Sequence, residues 1–280
     1  MELIINLAIN GISQGMLIFL IAAGLTLIFG LMDVLNFAHG GIFAWGAFIG
    51  VFSYAYTDSY LLSLVAAVIG GLILGLITEL LIIRPVYGNH IRQILITLGL
   101  LLVISELIKV VFGPDIKATK PPAYLEGNWQ FGDITIIKYR AFIIGVGLLI
   151  FLVMMLLLRY SRIGLIVRAG VMDKEMVQAL GINIRVVFIG IFMVGSALAA
   201  LGGAMSAPMF GSIYAELGMN YGIFAFIVVI IGGMGSVPGA LLAALLVGVS
   251  NTFFQYYVPI LSFVDKDLIE MGRAYGLKGR

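Results

Sequence analysis

The stretch "GLTLIFGLMDVLNFAHGGIFAWGAF" occupies residues 24–48 and decides how the chain is read. Two apolar runs flank a centre that carries Asp33, Asn36 and His39. The runs extend outward, backward to Leu3 and forward to about Tyr56. Each approaches the roughly 20 apolar residues a helix needs to cross a bilayer. Lipid solvates acids, amides and imidazoles poorly, so the centre marks a helix break that protein or a water-lined cavity must cover.

The rest of the chain repeats the theme. Of 280 residues, 62% are hydrophobic and 11% charged, with mean hydropathy +1.15. That is too little charge to cover the surface of a soluble domain of this length. No Lys or Arg precedes Arg84, and none lies between Arg185 and Lys266. The expected fold is an all-α polytopic transmembrane bundle, residues 1–280 forming one domain of about eight spans, some of them broken. The spans fall at Leu3–Leu31, the break to Tyr56, Leu61–Ile83, Ile94–Phe112, Ala141–Leu158, Val186–Ala207, Gly222–Ile231 and Ala240–Tyr257. Within the first, Asn6, Asn10 and Gln14 share one helix face at i, i+4, i+8. The 36 glycines suit close helix packing and broken helices. "MELIINLAINGISQG" lacks a basic n-region and a small-residue cleavage site, so the first helix is expected to be retained.

Two polar segments interrupt the spans. Residues 113–140, with Pro121–Pro122 and the alternating "FGDITIIKY", predict a loop holding a short hairpin. Residues 159–185 carry Arg159, Arg162, Arg168, Lys174 and Arg185 against Asp173 and Glu175. Together with Arg84 and Arg92 this segment is expected in the cytoplasm, leaving the N-terminus and the 113–140 loop outside. Eight crossings then leave the C-terminus outside, yet "DKDLIEMGRAYGLKGR" ends the chain with four basic residues. The conflict calls for a shortened ninth crossing or a count that is off by one.

Several chemistries are excluded. There is no cysteine for disulfides, thiol catalysis or Cys-ligated metals. His39 and His90 share no metal-ligand spacing with carboxylates. No P-loop, GxSxG or HExxH occurs, so neither ATP hydrolysis nor other catalysis is expected here, and no cofactor, metal or nucleic-acid partner is implied.

The polar residues that remain have two readings each. In 169–183, Val171, Met176, Val177 and Leu180 fall near one face of an expected amphipathic helix stopped by Gly181. That helix either docks in another protein's groove or lies on the lipid surface. Asp33, Glu79 and Glu106 are candidate ion-coupling acids by depth. Alternatively Glu79 reaches Arg84, Glu106 pairs with Lys109 at i, i+3, and Asp33 caps the second helix. Asn36 and His39 would bond carbonyls freed at a break on the cytoplasmic side, and Gly40 and Gly41 would admit a neighbouring helix. A second break, Gly232, Gly233, Gly235 and Ser236 in "GGMGSVPGALLAALLVG", resembles the first in character. It suggests an internal repeat with a transport path between its halves.

"GLTLIFGLMDVLNFAHGGIFAWGAF" (24–48), "IIRPVYG" (82–88), "RAGVMDKEMVQALGIN" (168–183) and "IGGMGSVPGALLAALLVG" (231–248) together resemble the LivH-type permeases of branched-chain amino acid ABC importers. The likeness runs from about residue 5 to 258. It implies a multi-pass inner-membrane permease working with a second, homologous permease, two cytoplasmic ATP-binding subunits and an extracytoplasmic binding protein. It implies ATPase docking at Arg168, Asp173, Met176, Ala179, Leu180 and Gly181. The translocation path or its helix breaks would involve Asp33, Asn36, His39, Gly40, Gly232, Gly233, Gly235 and Ser236. The 113–140 loop and Tyr214–Tyr221 would face the binding protein. The rival reading is a stand-alone, ion-coupled secondary transporter using Asp33 or Glu106. Where such permeases end in one more apolar helix, this chain has "FVDKDLIEMGRAY", so the ninth helix is expected to be eroded.

Overall fold

A computed structural model describes residues 2–132 and 134–274; for Glu2, Phe131, Ile134 and residues 259–274 only the backbone is described. The helices are α1 (Glu2–Met32), α2 (His39–Thr57), α3 (Tyr60–Thr78) and α4 (His90–Phe112), then α5 (Lys138–Tyr160), α6 (Arg162–Met172), α7 (Lys174–Ala179), α8 (Ile184–Phe210), α9 (Leu217–Gly232) and α10 (Val237–Ala274). A π-helical turn, Glu79–Ile83, extends α3. Two 3-10 turns (Arg84–Val86 and Ala123–Leu125) and four short strands complete the described elements: β1 (Lys117–Ala118), β2 (Asn128–Phe131), β3 (Ile134–Ile137) and β4 (Ser212–Ile213).

Among the described residues six helices, α1, α3, α4, α5, α8 and α10, are long and apolar enough to cross a membrane. The expectation of about eight spans is thereby refined. The other two expected spans are α2, whose 19 residues are rich in Gly and aromatics, and α9, with only 16. α2 is largely buried among its neighbours, whereas α9 buries one face and leaves Ile223, Ile230 and Ile231 exposed on the other. The chain is an all-α, polytopic membrane protein.

Burial sorts the helices. The apolar window of α1 is 89% buried, so α1 is the central post of the bundle. The corresponding shares for α3, α4 and α5 are 28%, 22% and 17%, and their outer faces are Leu, Ile and Val, as lipid requires. Central helices approach on glycine. A Cβ on Gly71 would come within 2.9 Å of Ala197 Cα on α8, and one on Gly15 within 3.0 Å of Leu245 Cα on α10. Apolar area gives little net drive between helices already in lipid, so such backbone-to-backbone seams carry the association.

The predicted hairpin is present: β2 pairs with β3, Trp129 opposite Ile136. A second pairing was not foreseen. β1 in the long loop pairs with β4 after α8, which ties the loop to the start of α9. The expected eroded ninth helix does not appear as a separate element among the described residues. Backbone hydrogen bonding carries α10 through the charged segment to Ala274, because Asp, Lys and Glu are compatible with a helix wherever lipid does not surround them. The side on which Arg280 lies falls outside the described residues.

Candidate translocation and docking sites

The first break is deeper than expected. After Met32 the backbone leaves the helix at Asp33, which adopts φ 57°, and residues 33–38 run non-helically back into the bundle alongside α4. Asp33 Oδ2 lies 3.4 Å from His90 Nε2 at the start of α4. The Leu35 carbonyl is 3.3 Å from the Thr97 hydroxyl. Gly41 then abuts Leu101 and Ile104, and the Trp45 indole N–H donates to the Ile104 carbonyl at 3.0 Å. From His90 to Ile104 is a climb of roughly 21 Å at about 1.5 Å per residue, so α2 starts well inside the membrane. The segment ends in a turn, with the His39 N–H bonded to the Asn36 carbonyl at 3.3 Å, and α2 starts from it.

This geometry corrects several expectations. Asp33 does not cap α2: that cap is Ala38, without a side-chain bond. The Asp33 N–H instead bonds the Phe29 carbonyl and closes α1, while its half-exposed carboxylate turns to His90. Asn36 and His39 are fully buried at depth rather than at the end of the bundle. His39 Nε2 donates to the Ile21 carbonyl at 3.1 Å, in the middle of α1 and not at the break. Neither side-chain atom of Asn36 has a hydrogen-bonding partner among the described residues. Gly40 and Gly41 behave as expected. Gly40 meets Gly218 and Gly222 of α9, and Phe37 stacks on Phe226 with centroids 4.3 Å apart.

The second break lies beside the foot of the first. Gly233 and Gly235 have φ of 88° and 85°, a left-handed turn that suits glycine. Ser236 Oγ accepts from the Gly239 N–H at 3.2 Å, and Gly232 presses on Gly239. Gly30 faces Gly235, so both breaks meet at one end of α1. The eight candidate path residues therefore divide. Asp33, Gly232, Gly233, Gly235 and Ser236 lie at that end, while Asn36, His39 and Gly40 lie higher, His39 bonded to α1 and Gly40 against α9.

The same end carries α6 and α7. Tyr87 stacks edge-on to Phe188 at 5.6 Å, and Lys174 lies 6.0 Å over that ring. The expected single amphipathic helix is two, because Asp173 takes extended angles and caps α7, its Oδ1 accepting from the Met176 N–H at 2.9 Å. The apolar face also differs. Val177 points inward at 2% exposure, whereas Met172, Met176 and Leu180 are 89%, 59% and 72% exposed. Gly181, with φ 82°, ends the element as expected. All six candidate docking residues, Arg168, Asp173, Met176, Ala179, Leu180 and Gly181, lie on the exposed surface. Arg168 also lines a crevice of about 420 Å³ together with Gly235 and Ser236.

Glu79 and Glu106, the other two acids read at membrane depth, each have a partner. Glu79 is 1% exposed and accepts from the Tyr87 hydroxyl; no Arg84 pairing occurs among the described residues. Lys109 bridges Glu106 and Glu216, each at 2.8 Å. The first was expected; the second fastens α4 to the loop before α9. Hydrogen bonding from Lys109 holds the Glu216 carboxyl below the usual carboxylate range. At the same end Tyr60 and Tyr139 share a 2.6 Å bond, and Tyr139 donates to the Met205 carbonyl at 2.8 Å. Among the described residues no cluster of His and carboxylates could hold a metal ion.

Long apolar helices interrupted by two glycine-rich breaks make this a multi-pass helical membrane protein. Residues 7–270 match the family described as branched-chain amino acid transport system / permease component, and the chain belongs to that family. It is 31% identical to the high-affinity branched-chain amino acid transport system permease protein BraD of Pseudomonas aeruginosa, over 97% of this chain and 94% of that one. It is 28% identical to the corresponding permease protein LivH of Escherichia coli, with the same coverage. A probable branched-chain amino acid transport permease protein of Methanocaldococcus jannaschii is 27% identical over 86% of this chain and 78% of its own length. No solved structure matches.

Proposed function

We propose that the chain is one permease subunit of an ATP-driven importer for branched-chain or other apolar amino acids, embedded in a bacterial-type inner membrane. It pairs with a second, homologous permease to form the path. Two cytoplasmic ATP-binding subunits supply the hydrolysis, and an extracytoplasmic binding protein delivers the cargo. In this reading the end bearing Arg84, Arg92 and α6–α7 faces the cytoplasm, and the 113–140 loop faces outward. The loop, held to β4 beside Tyr214–Tyr221, receives the binding protein.

The observation that carries the reading is the exposed ridge Met172, Met176 and Leu180 on α6–α7, at a spacing of four residues and flanked by Asp173 and Gly181. Large apolar side chains this exposed at a polar, basic end suit insertion into a partner's groove. Arg168 shares a crevice with the Gly235 break, so force on α6 has a short route to the helix break at the path.

The ion-coupled alternative loses its sites. Asp33 is half exposed beside His90, and Glu106 shares Lys109 with Glu216. Neither is an unpaired acid at mid-membrane.

The test is co-isolation. The tagged chain is expected to bring down its ATPase subunits, and Asp173→Lys combined with Gly181→Pro to abolish that contact. Uptake that continues without any ATPase and collapses with the proton gradient would overturn the proposal.

A further inference from the structure

At the end of the bundle that carries the long loop, α1, α9 and α10 enclose a crevice of about 380 Å³. Four neutral amides line it: Gln14, Asn220, Asn251 and Gln255. Gln255 and Asn220 are exposed and Asn251 is half-buried, all on the outer side of this chain. Asn251 stands about 21 Å above the start of α10 at roughly 1.5 Å per residue, still within the thickness of the hydrocarbon. Amides turned outward at that depth are costly against lipid, so water, a ligand or protein must face them.

The lining has a defined chemistry. Gln14 is held by the Thr252 hydroxyl, 3.0 Å from its amide, and that hydroxyl also lies 3.0 Å from the Gly248 carbonyl. Asn220 donates to the Tyr214 hydroxyl at 3.2 Å and keeps its carbonyl oxygen for another donor. No charged side chain contributes, while Ile223 and Phe224 supply apolar surface. Amides both donate and accept, so they can satisfy a carboxylate and an ammonium together. The absence of a fixed charge among the lining residues keeps such a contact weak, which a path needs if cargo is to leave again.

We propose that this crevice is the outer, low-affinity subsite through which a zwitterionic apolar α-amino acid enters the permease. The amides hold its charged head, and Ile223 and Phe224 hold its side chain. The proposal rests on the importer reading above and places cargo contact away from both helix breaks.

The test uses the whole importer, both permeases with ATPases and binding protein, in liposomes with leucine as probe. Asn251→Leu combined with Gln255→Leu removes two amides and keeps their bulk. ATP-driven uptake is expected to fall at least tenfold while the subunits still co-purify and hydrolyse ATP. Uptake within twofold of the parent, from an assembled complex, would overturn the subsite. If the pair of substitutions prevents assembly, the smaller change Asn251→Cys decides, since the chain has no cysteine of its own. An impermeant thiol reagent added from the binding-protein side is expected to label N251C, more slowly with saturating leucine, and to spare L246C on the opposite face of α10. An unreactive N251C, or one that leucine does not protect, would overturn the proposal. A parent complex that drives uptake of neither leucine nor any other apolar amino acid would defeat the importer reading, and this proposal with it.

Discussion

Gly40→Ala tests the seat of the re-entrant segment. The added Cβ would lie 3.0 Å from the Gly218 carbonyl carbon and 3.1 Å from Gly222 Cα, and closer still to the Gly218 oxygen. Those atoms are the backbone of α9, which cannot swing aside like a side chain. Relief requires α2 and α9 to part, and overpacking of this kind costs about 1–3 kcal/mol. Against it stands the roughly 0.5–1 kcal/mol that Ala gains over Gly within a helix. The chain contains its own controls. Gly99 in α4 and Gly145 in α5 have nothing within 4 Å of an added Cβ, so Ala there should be neutral or stabilising. The helix gain is common to both substitutions, so Gly40→Ala should sit about 1–3 kcal/mol below Gly99→Ala, a factor of roughly 5–150 in the unfolding equilibrium. Denaturation of the purified protein in a single detergent measures the difference. Equal stabilities for Gly40→Ala and Gly99→Ala would refute the close approach, and with it the depth assigned to the start of α2.

Tyr87→Phe strips the buried Glu79 of its hydroxyl donor and should cost about 2–3 kcal/mol. In a Glu79→Met background the same change should cost under about 1 kcal/mol, and a double-mutant cycle showing no coupling would dismiss the pair. Asp173→Ala removes the cap of a six-residue helix, worth about 1 kcal/mol, and should weaken ATPase co-isolation without lowering the amount of chain in the membrane. Unchanged co-isolation would show that α7 needs no ordering to dock. The Glu216 carboxyl is depressed by Lys109, so their contact is complete above the unfolded carboxylate pKa, near about 4.3, and is lost as pH falls through the lower folded value. The thermal midpoint of the parent should therefore approach that of Glu216→Gln only on strong acidification. A difference that does not vary with pH would contradict this.

Fold class was legible because lipid imposes a coarse rule: long apolar runs with charges confined between them. The ends of α1, α3, α5 and α8 fall within a few residues of the runs read from sequence. The hairpin at β2–β3 followed from alternation and turn residues, and the Glu106–Lys109 pair from helical spacing. Local signals of this kind survive folding because both partners lie within a few residues of each other.

Asn36 and His39 show where that legibility ends. Their chemistry announced a break, but nothing local says that residues 33–38 turn back along α4 instead of staying at the membrane edge. That path exists because Gly40 and Gly41 let α2 start against α9 and α4, contacts roughly 60 to 180 residues away in sequence. Of the apolar face expected at Val171, Met176, Val177 and Leu180, only Val177 turns into the core, because the kink at Asp173 shifts the helical phase. Asn6, Asn10 and Gln14 marked one polar face of α1, but Asn251, Thr252 and Gln255 on the last span drew no expectation from the sequence. Only packing of α1 on α10 joined them. The sequence by itself determined what must cross the membrane and which residues could not rest in lipid. The tertiary structure decided where those residues went, because the glycine-lined seams that set helix depth and phase form between segments far apart in the chain.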